Sequence, residues 1–180
     1  MNDIAQELAR LHELEGADYS RQVEHIARMG VFHLLEGEVG IYATAGEKCA
    51  DYENLIAAAR KAVEHGYRVF ILPNPRGIRT ADIITEYKGM YFLYEVKTLR
   101  GKGSAKTRLM ESIGQSKRVI LHILAAYNAR LLAADIKAYF EANPAALEVL
   151  VFKGKKLINV SRDFSQSKQF HHLFRKKYEK

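Results

Sequence analysis

The residues whose types and spacing could do chemistry are Asp82, Glu95 and Lys97. Asp82 lies in one apolar run, and Glu95 and Lys97 end a second run that begins at Met90; Lys88-Gly89 between the runs is typical of a tight turn. The pattern predicts a β-hairpin with Glu95 and Lys97 on one face, because residues two apart on a strand point the same way. Two carboxylates can hold a divalent ion, and a lysine beside them can act on a phosphate and its attacking water. The sequence therefore predicts a metal-assisted hydrolytic site.

The order of these residues resembles the PD-(D/E)XK nuclease pattern, with Asp82 followed by Glu95-x-Lys97 on the next strand. Proline often precedes the aspartate in that pattern, whereas Ala81 does so here. Gln115 follows on a predicted helix, where several branches of the superfamily have a glutamine. More narrowly, residues 57 to 123 resemble the C-terminal nuclease toxin domains of contact-dependent growth inhibition proteins, and related nuclease domains are attached to phage minor head proteins. The stretches that carry this are AAARKAVEHGYRVFILPN, RTADIIT, YEVKT and RLMESIGQSKRVIL.

This resemblance implies a metal-dependent nuclease with Asp82, Glu95, Lys97 and Gln115 as catalytic residues. Asp82 and Glu95 would bind Mg²⁺, with Mn²⁺ or Zn²⁺ as alternatives, and Gln115 would orient the water, the lysine or the phosphate. Glu53 is a further metal ligand on this interpretation; its other interpretation is an acidic residue that complements the dipole of a helix N-terminus. The resemblance favours RNA, and tRNA in particular, over DNA, and it implies an immunity protein as a partner.

Charge is unevenly distributed along the 180 residues, whose formal net charge is +7. The segment 153–180 holds nine Lys or Arg and two acidic residues, so its formal net charge equals the +7 of the whole chain. This basic segment is either a solvated terminal helix or a surface that contacts phosphates. The residues that we expect to contact nucleic acid are Arg76, Arg79, Thr98, Arg100, Lys102, Lys106, Lys168, Arg175, Lys176 and Lys177.

The sequence contains no apolar run long enough to span a bilayer and no signal peptide. Its one cysteine, Cys49, excludes an internal disulfide and a cysteine-rich zinc site. We therefore expect folding and action in a reducing cytoplasm. The resemblance adds delivery as part of a secreted or phage-borne polyprotein.

The remaining patterns predict an α/β fold, with a mixed central sheet flanked by helices in a PD-(D/E)XK-like core and an N-terminal helical pair. Residues 1–30 would form a helical extension, and 31–180 a nuclease-like α/β domain with a basic C-terminal helix. Predicted helices cover 3–15, 19–29, 50–65, 107–115, a segment ending at 142, and 165–178. Predicted strands cover parts of 31–44, then 68–72, the hairpin at Asp82 and Glu95, 118–124, 147–152 and 156–160.

Two alternatives remain open from the residues alone. A metal-independent toxin-type RNase would use Lys97, Thr98, Gln115 and His122 for acid–base cleavage through the 2′-hydroxyl, although most histidines in apolar runs belong to the core. A non-enzymatic basic module that binds nucleic acid or a capsid would instead use Asp82, Glu95 and Lys97 as a structural ion pair.

Overall fold

The computed structural model describes residues 7, 10–14, 16–44, 51–72, 81–101 and 103–180. It confirms the α/β class, because helices alternate with strands paired in both directions. The chain forms two compact units, Met1–Tyr94 and Glu95–Lys180, whose boundary falls within one strand. The sequence predicts a division at residue 30, between a helical extension and a nuclease-like domain. The two compact units do not test that division, which stays a prediction. No helix in the described part of the chain is long and apolar enough to cross a membrane.

The first unit includes a 3₁₀ turn at Leu11–Glu13, which lies within the predicted helix at 3–15. The helices and strands that follow are α1 (Gly16–Arg28), β1 (His33–Leu34), β2 (Ile41–Ala43), α2 (Tyr52–Glu64), β3 (Arg68–Ile71), β4 (Ile83–Tyr87) and the first part of β5 (Met90–Leu99). β2 and β3 are parallel, and the neighbouring pairs β1–β2, β3–β4 and β4–β5 are antiparallel.

The amphipathic pattern of α1 explains how the first unit forms one of its cores. Tyr19, Val23 and Ile26 recur at a spacing of three or four, so they fall on one side of the helix, and all three are buried. They pack in a cluster with Phe70 of β3 and Ile84 of β4. The second predicted helix is thereby confirmed, with slightly different ends.

The predicted hairpin around Lys88-Gly89 is also confirmed. Both turn residues have positive φ, 50° for Lys88 and 81° for Gly89, as the common two-residue hairpin turn requires. Tyr87 pairs with Met90 at the turn, and the register continues to Ile83 and Tyr94.

The second unit contains the rest of β5 and the elements α3 (Ala105–Glu111), β6 (Arg118–Ile123), α4 (Ala129–Ala142), β7 (Glu148–Lys153), β8 (Lys156–Ser161), α5 (Arg162–Gln166) and α6 (Phe170–Glu179). β5, β6 and β7 are parallel, and β7 and β8 form the predicted terminal hairpin. One sheet face supplies Val119 and Leu121 of β6 to a core that also contains Leu132 of α4 and Phe174 of α6. The neighbouring position Ile120 is absent from this cluster, as strand alternation requires.

Two predicted helices end or break earlier than the sequence pattern indicated. α3 ends at Glu111, where the Ser112 hydroxyl donates to the Leu109 carbonyl at 2.6 Å, and Gly114 has a φ of 86° that ends helical geometry. Gln115 therefore lies in a turn and not on the helix. The terminal helix predicted at 165–178 is divided into α5 and α6 by Ser167, whose ψ of 149° is extended. Lys168 consequently lies between the two helices.

Candidate functional site

Glu95 and Lys97 lie on the face of β5 that points toward the core of the second unit. Strand register sets Glu95 beside Val119 and Lys97 beside Leu121 of the parallel strand β6, and both neighbours belong to that core. Glu95 is only 5% exposed. The Lys97 ammonium lies 3.3 Å from Glu95 Oε1, and the lysine side chain is 16% exposed. Alternation along β5 thus brings a carboxylate and an ammonium together in a largely buried position.

Gln115 completes a three-residue cluster with this pair. The turn after α3 places it there: its backbone N–H donates to the Ser112 carbonyl at 2.9 Å. The Gln115 amide is assigned the orientation in which its nitrogen faces the Glu95 carboxylate. In that orientation the nitrogen donates to Glu95 Oε2 at 2.9 Å and also to Glu95 Oε1. The structure therefore brings together Glu95, Lys97 and Gln115, which are three of the four residues predicted to be catalytic.

The cluster contains groups that suit phosphate chemistry. An ionised carboxylate held by hydrogen bonds has a fixed direction, which is what a divalent cation ligand needs. A neighbouring ammonium is a point charge that can stabilise negative charge developing on a phosphate. Because both side chains project from a paired strand and not from a loop, the sheet sets the positions of their Cα atoms.

Two further charged residues at this cluster were not identified from the sequence. Glu111, the last residue of α3, has Oε2 4.0 Å from the Lys97 ammonium, and Arg108 one turn earlier lies 3.7 Å from the same oxygen. A signal was present in the spacing: residues three apart on a helix share a side, so helical geometry alone makes Arg108 and Glu111 neighbours. Which strand residue they face depends on how α3 packs.

Asp82 and Glu53 belong to the first unit. The Asp82 backbone N–H donates to the Tyr94 carbonyl at 3.1 Å, and its carbonyl accepts from the Leu72 N–H at 2.9 Å, so strand pairing extends one residue ahead of β4. Glu53 is exposed in the first turn of α2. The described residues include no group of three or more His, Cys, Asp or Glu side chains placed to hold a metal. Ligation of a metal by Asp82, Glu95 and Glu53 stays a prediction.

Thr98 and His122 lie on the other face of the sheet from Lys97. Thr98 pairs with His122 in the register of β5 and β6. The strand residues next to them, Leu99 and Leu121, belong to the core cluster, so Thr98 and His122 point the other way. His122 is 2% exposed and makes an edge-to-face contact with the Phe152 ring at 6.4 Å. The four residues of the metal-independent alternative are therefore divided between two faces, because successive strand residues point in opposite directions.

The basic residues expected to contact nucleic acid are spread over several elements. Lys106 is exposed on α3, and Arg100 is exposed just after β5. Near the C-terminus, Arg175 pairs with Glu179 at 3.6 Å, and the Lys177 ammonium lies 5.3 Å from the centre of the Phe164 ring. Lys168 and Lys176 are exposed. The remaining predicted contacts, Arg76, Arg79 and Lys102, lie outside the described residues, as does Cys49.

Comparison with known proteins gives a sparse result. No family model matches the chain, and no curated protein matches it. A solved structure that matches is a CdiA-CT/CdiI toxin and immunity complex from Burkholderia pseudomallei, with 15% sequence identity and a TM-score of 0.42. The match covers 67% of this chain and 98% of that chain. Similarity at this level does not place the chain in a family.

Proposed function

We propose that this protein is a metal-dependent nuclease that hydrolyses phosphodiester bonds. The observation that supports the proposal most strongly is the cluster of Glu95, Lys97 and Gln115, in which one buried carboxylate contacts both an ammonium and an amide. These residues occur in the order and spacing that resemble the PD-(D/E)XK pattern.

Energetics also favour a functional reason for this cluster. Removing a carboxylate and an ammonium from water costs several kcal/mol per ion, and well-packed apolar residues in their place are often equally stable or more so. On the same strand, Leu99 is 1% exposed and packs in the apolar core of the second unit. A charged pair kept in such a strand at this cost is a candidate for chemistry.

In the proposed mechanism, Asp82 and Glu95 would hold the divalent cation, with Glu53 as a further ligand. When bound, the metal supplies Lewis-acid activation of water and phosphate. Lys97 stabilises charge on the phosphate, and Gln115 holds the Glu95 carboxylate in its direction.

RNA, with tRNA favoured, is the proposed substrate, and the basic residues near the C-terminus are proposed to contact its phosphates. The toxin-like role, cytoplasmic action after delivery by a larger protein, and an immunity protein as partner complete the proposal. These parts rest on the resemblance of residues 57 to 123 to growth-inhibition toxin domains.

The test is incubation of purified protein with total tRNA, ribosomal RNA and plasmid DNA, with Mg²⁺ and with excess EDTA. We expect Mg²⁺-dependent cleavage, with RNA cut faster than DNA, and loss of cleavage in Glu95→Gln. Glu148→Gln is the matched control, since Glu148 is also an ion-paired strand carboxylate, 3.9 Å from Arg118, but projects from the other face. Cleavage that persists in excess EDTA would exclude the metal-dependent mechanism.

A non-enzymatic nucleic-acid or capsid-binding module is the second candidate, and the low exposure of the Glu95–Lys97 pair is the observation in its favour. This candidate predicts binding to nucleic acid without turnover in either metal condition. The same incubation, followed by a gel-shift measurement, separates it from the nuclease.

A further inference from the structure

The Lys97 ammonium lies between two carboxylates, and only one of them belongs to the residues assigned above. Glu95 Oε1 is 3.3 Å away and Glu111 Oε2 is 4.0 Å away. The two carboxylates differ in surroundings: the Glu95 side chain is 6% exposed, whereas the Glu111 side chain is 48% exposed. Lys97 therefore contacts a buried acid on its own strand and a half-exposed acid from a helix.

The helix that carries Glu111 is short but anchored at its start by two polar groups. The Ser104 hydroxyl accepts from the Thr107 N–H at 3.0 Å. The Tyr127 hydroxyl accepts from the Ala105 N–H at 3.0 Å and donates to Asp135 at 2.6 Å.

Packing fixes the helix further, because Leu109 is fully buried in the core of the second unit. The position of Glu111 is thus set by the core together with the two polar groups at the start of the helix.

We infer that Glu111 is a positioning residue that restrains the Lys97 ammonium for catalysis, an inference that rests on the proposed nuclease function. A lysine side chain has a flexible four-carbon stem, and a single ion pair leaves much of that freedom. An ammonium has three donors, so one can hydrogen-bond to Glu95 and another to a phosphate oxygen, while Glu111, at 4.0 Å, attracts the ammonium by its charge. Arg108, 3.7 Å from Glu111, restrains that carboxylate in turn.

The experiment measures kcat and KM for Mg²⁺-dependent RNA cleavage by wild type, Glu111→Gln, Lys97→Ala and the double variant. For Glu111→Gln we expect kcat to fall by about 10- to 100-fold, as for loss of a residue that orients a reacting group, with KM nearly unchanged. In the double variant, the glutamine should cause no further loss beyond that of Lys97→Ala, because Glu111 acts through that lysine.

Glu24→Gln is the matched control. Glu24 is also half-exposed, at 49%, and is also 3.7 Å from an arginine on its own helix, Arg28. This variant should keep wild-type kcat. Melting temperatures of Glu111→Gln and Glu24→Gln should both stay close to that of wild type, since neither residue is buried.

The outcomes separate this inference from the function on which it rests. An active wild type whose kcat is unaffected by Glu111→Gln would overturn the positioning role alone. Independent, multiplying losses in the double variant would also overturn it, because Glu111 would then act without Lys97. A marked fall in the melting temperature of Glu111→Gln would reveal a structural role instead. A wild type without nuclease activity on any substrate would overturn both proposals.

Discussion

The Lys97 side chain is where the catalytic and structural interpretations of the buried cluster differ most. If Lys97 acts on the phosphate, Lys97→Ala should lower the cleavage rate by about 10²-fold or more, the size typical of losing one preorganised electrostatic group. Affinity for nucleic acid should change little, because many phosphate contacts contribute to it. The measurement pairs the single-turnover rate with the melting temperature of each variant.

Lys61→Ala is the control for that substitution. Lys61 also lies 3.3 Å from a carboxylate, that of Glu64, but on a helix surface in the first unit. If Lys97→Ala kept the specific activity of wild type and lost thermal stability, Lys97 would be a structural partner of Glu95. That result is the one expected when a buried carboxylate loses the cation that compensates its charge.

The hydrogen bond that holds the start of α3 to Tyr127 can be tested through the pH dependence of stability. Burial, and after it the hydrogen bond to Asp135, raises the pKa of the Tyr127 hydroxyl, which also anchors the start of α3. The folded state therefore holds the Tyr127 proton more tightly than the unfolded state does. This difference stabilises the folded state fully at pH values below the ordinary tyrosine pKa. The stabilisation is lost as the pH rises through the raised pKa of the folded state. The free energy of unfolding should therefore fall in alkaline solution.

Urea denaturation between about pH 8 and pH 11 measures this effect, a range that brackets the ordinary tyrosine pKa near 10. The decline should be shallower for Tyr127→Phe, which has no proton to lose at that position. Parallel curves for wild type and Tyr127→Phe over the whole range would show that Tyr127 does not contribute to the pH dependence.

A second prediction at the level of elements concerns the basic residues near the C-terminus, Lys168, Arg175, Lys176 and Lys177. If they bind phosphates, their replacement by alanine should reduce the slope of log affinity against log salt by about one unit for each phosphate that is no longer neutralised. Equilibrium binding of tRNA at several salt concentrations measures the slope. The charge-matched control replaces Arg21, Arg28, Arg60 and Lys61, which lie on α1 and α2. Equal slopes in the two variants would indicate that only total charge matters.

At the level of the whole molecule, cation binding should appear as thermal stability. A ligand that binds only the folded state at about 100 times its Kd contributes about 2.7 kcal/mol. Mg²⁺ or Mn²⁺ should therefore raise the melting temperature of wild type and of Glu148→Gln, and EDTA should reverse the rise. Glu95→Gln should lose most of it. The same rise in Glu95→Gln as in wild type would place the cation elsewhere.

The local elements of both units follow from sequence patterns because their causes are local. Apolar residues at a spacing of three or four define α1, and Lys88-Gly89 between two apolar runs defines the hairpin of β4 and β5. Alternation along β5 puts Glu95 and Lys97 on one side without any reference to the rest of the fold. The α/β class and the pairing of these two residues could thus be predicted.

Other features depend on contacts between distant segments, which no local pattern encodes. The turn after α3, which contains Gly114, directs the Gln115 amide toward Glu95, and the packing of Leu109 directs Glu111 toward Lys97. The placement of His122 on the same face as Thr98, opposite Lys97, became evident only from the parallel register of β5 and β6. The sequence thus determined which groups are available for chemistry, whereas helix packing and strand register decided which of them meet, because those depend on the core as a whole.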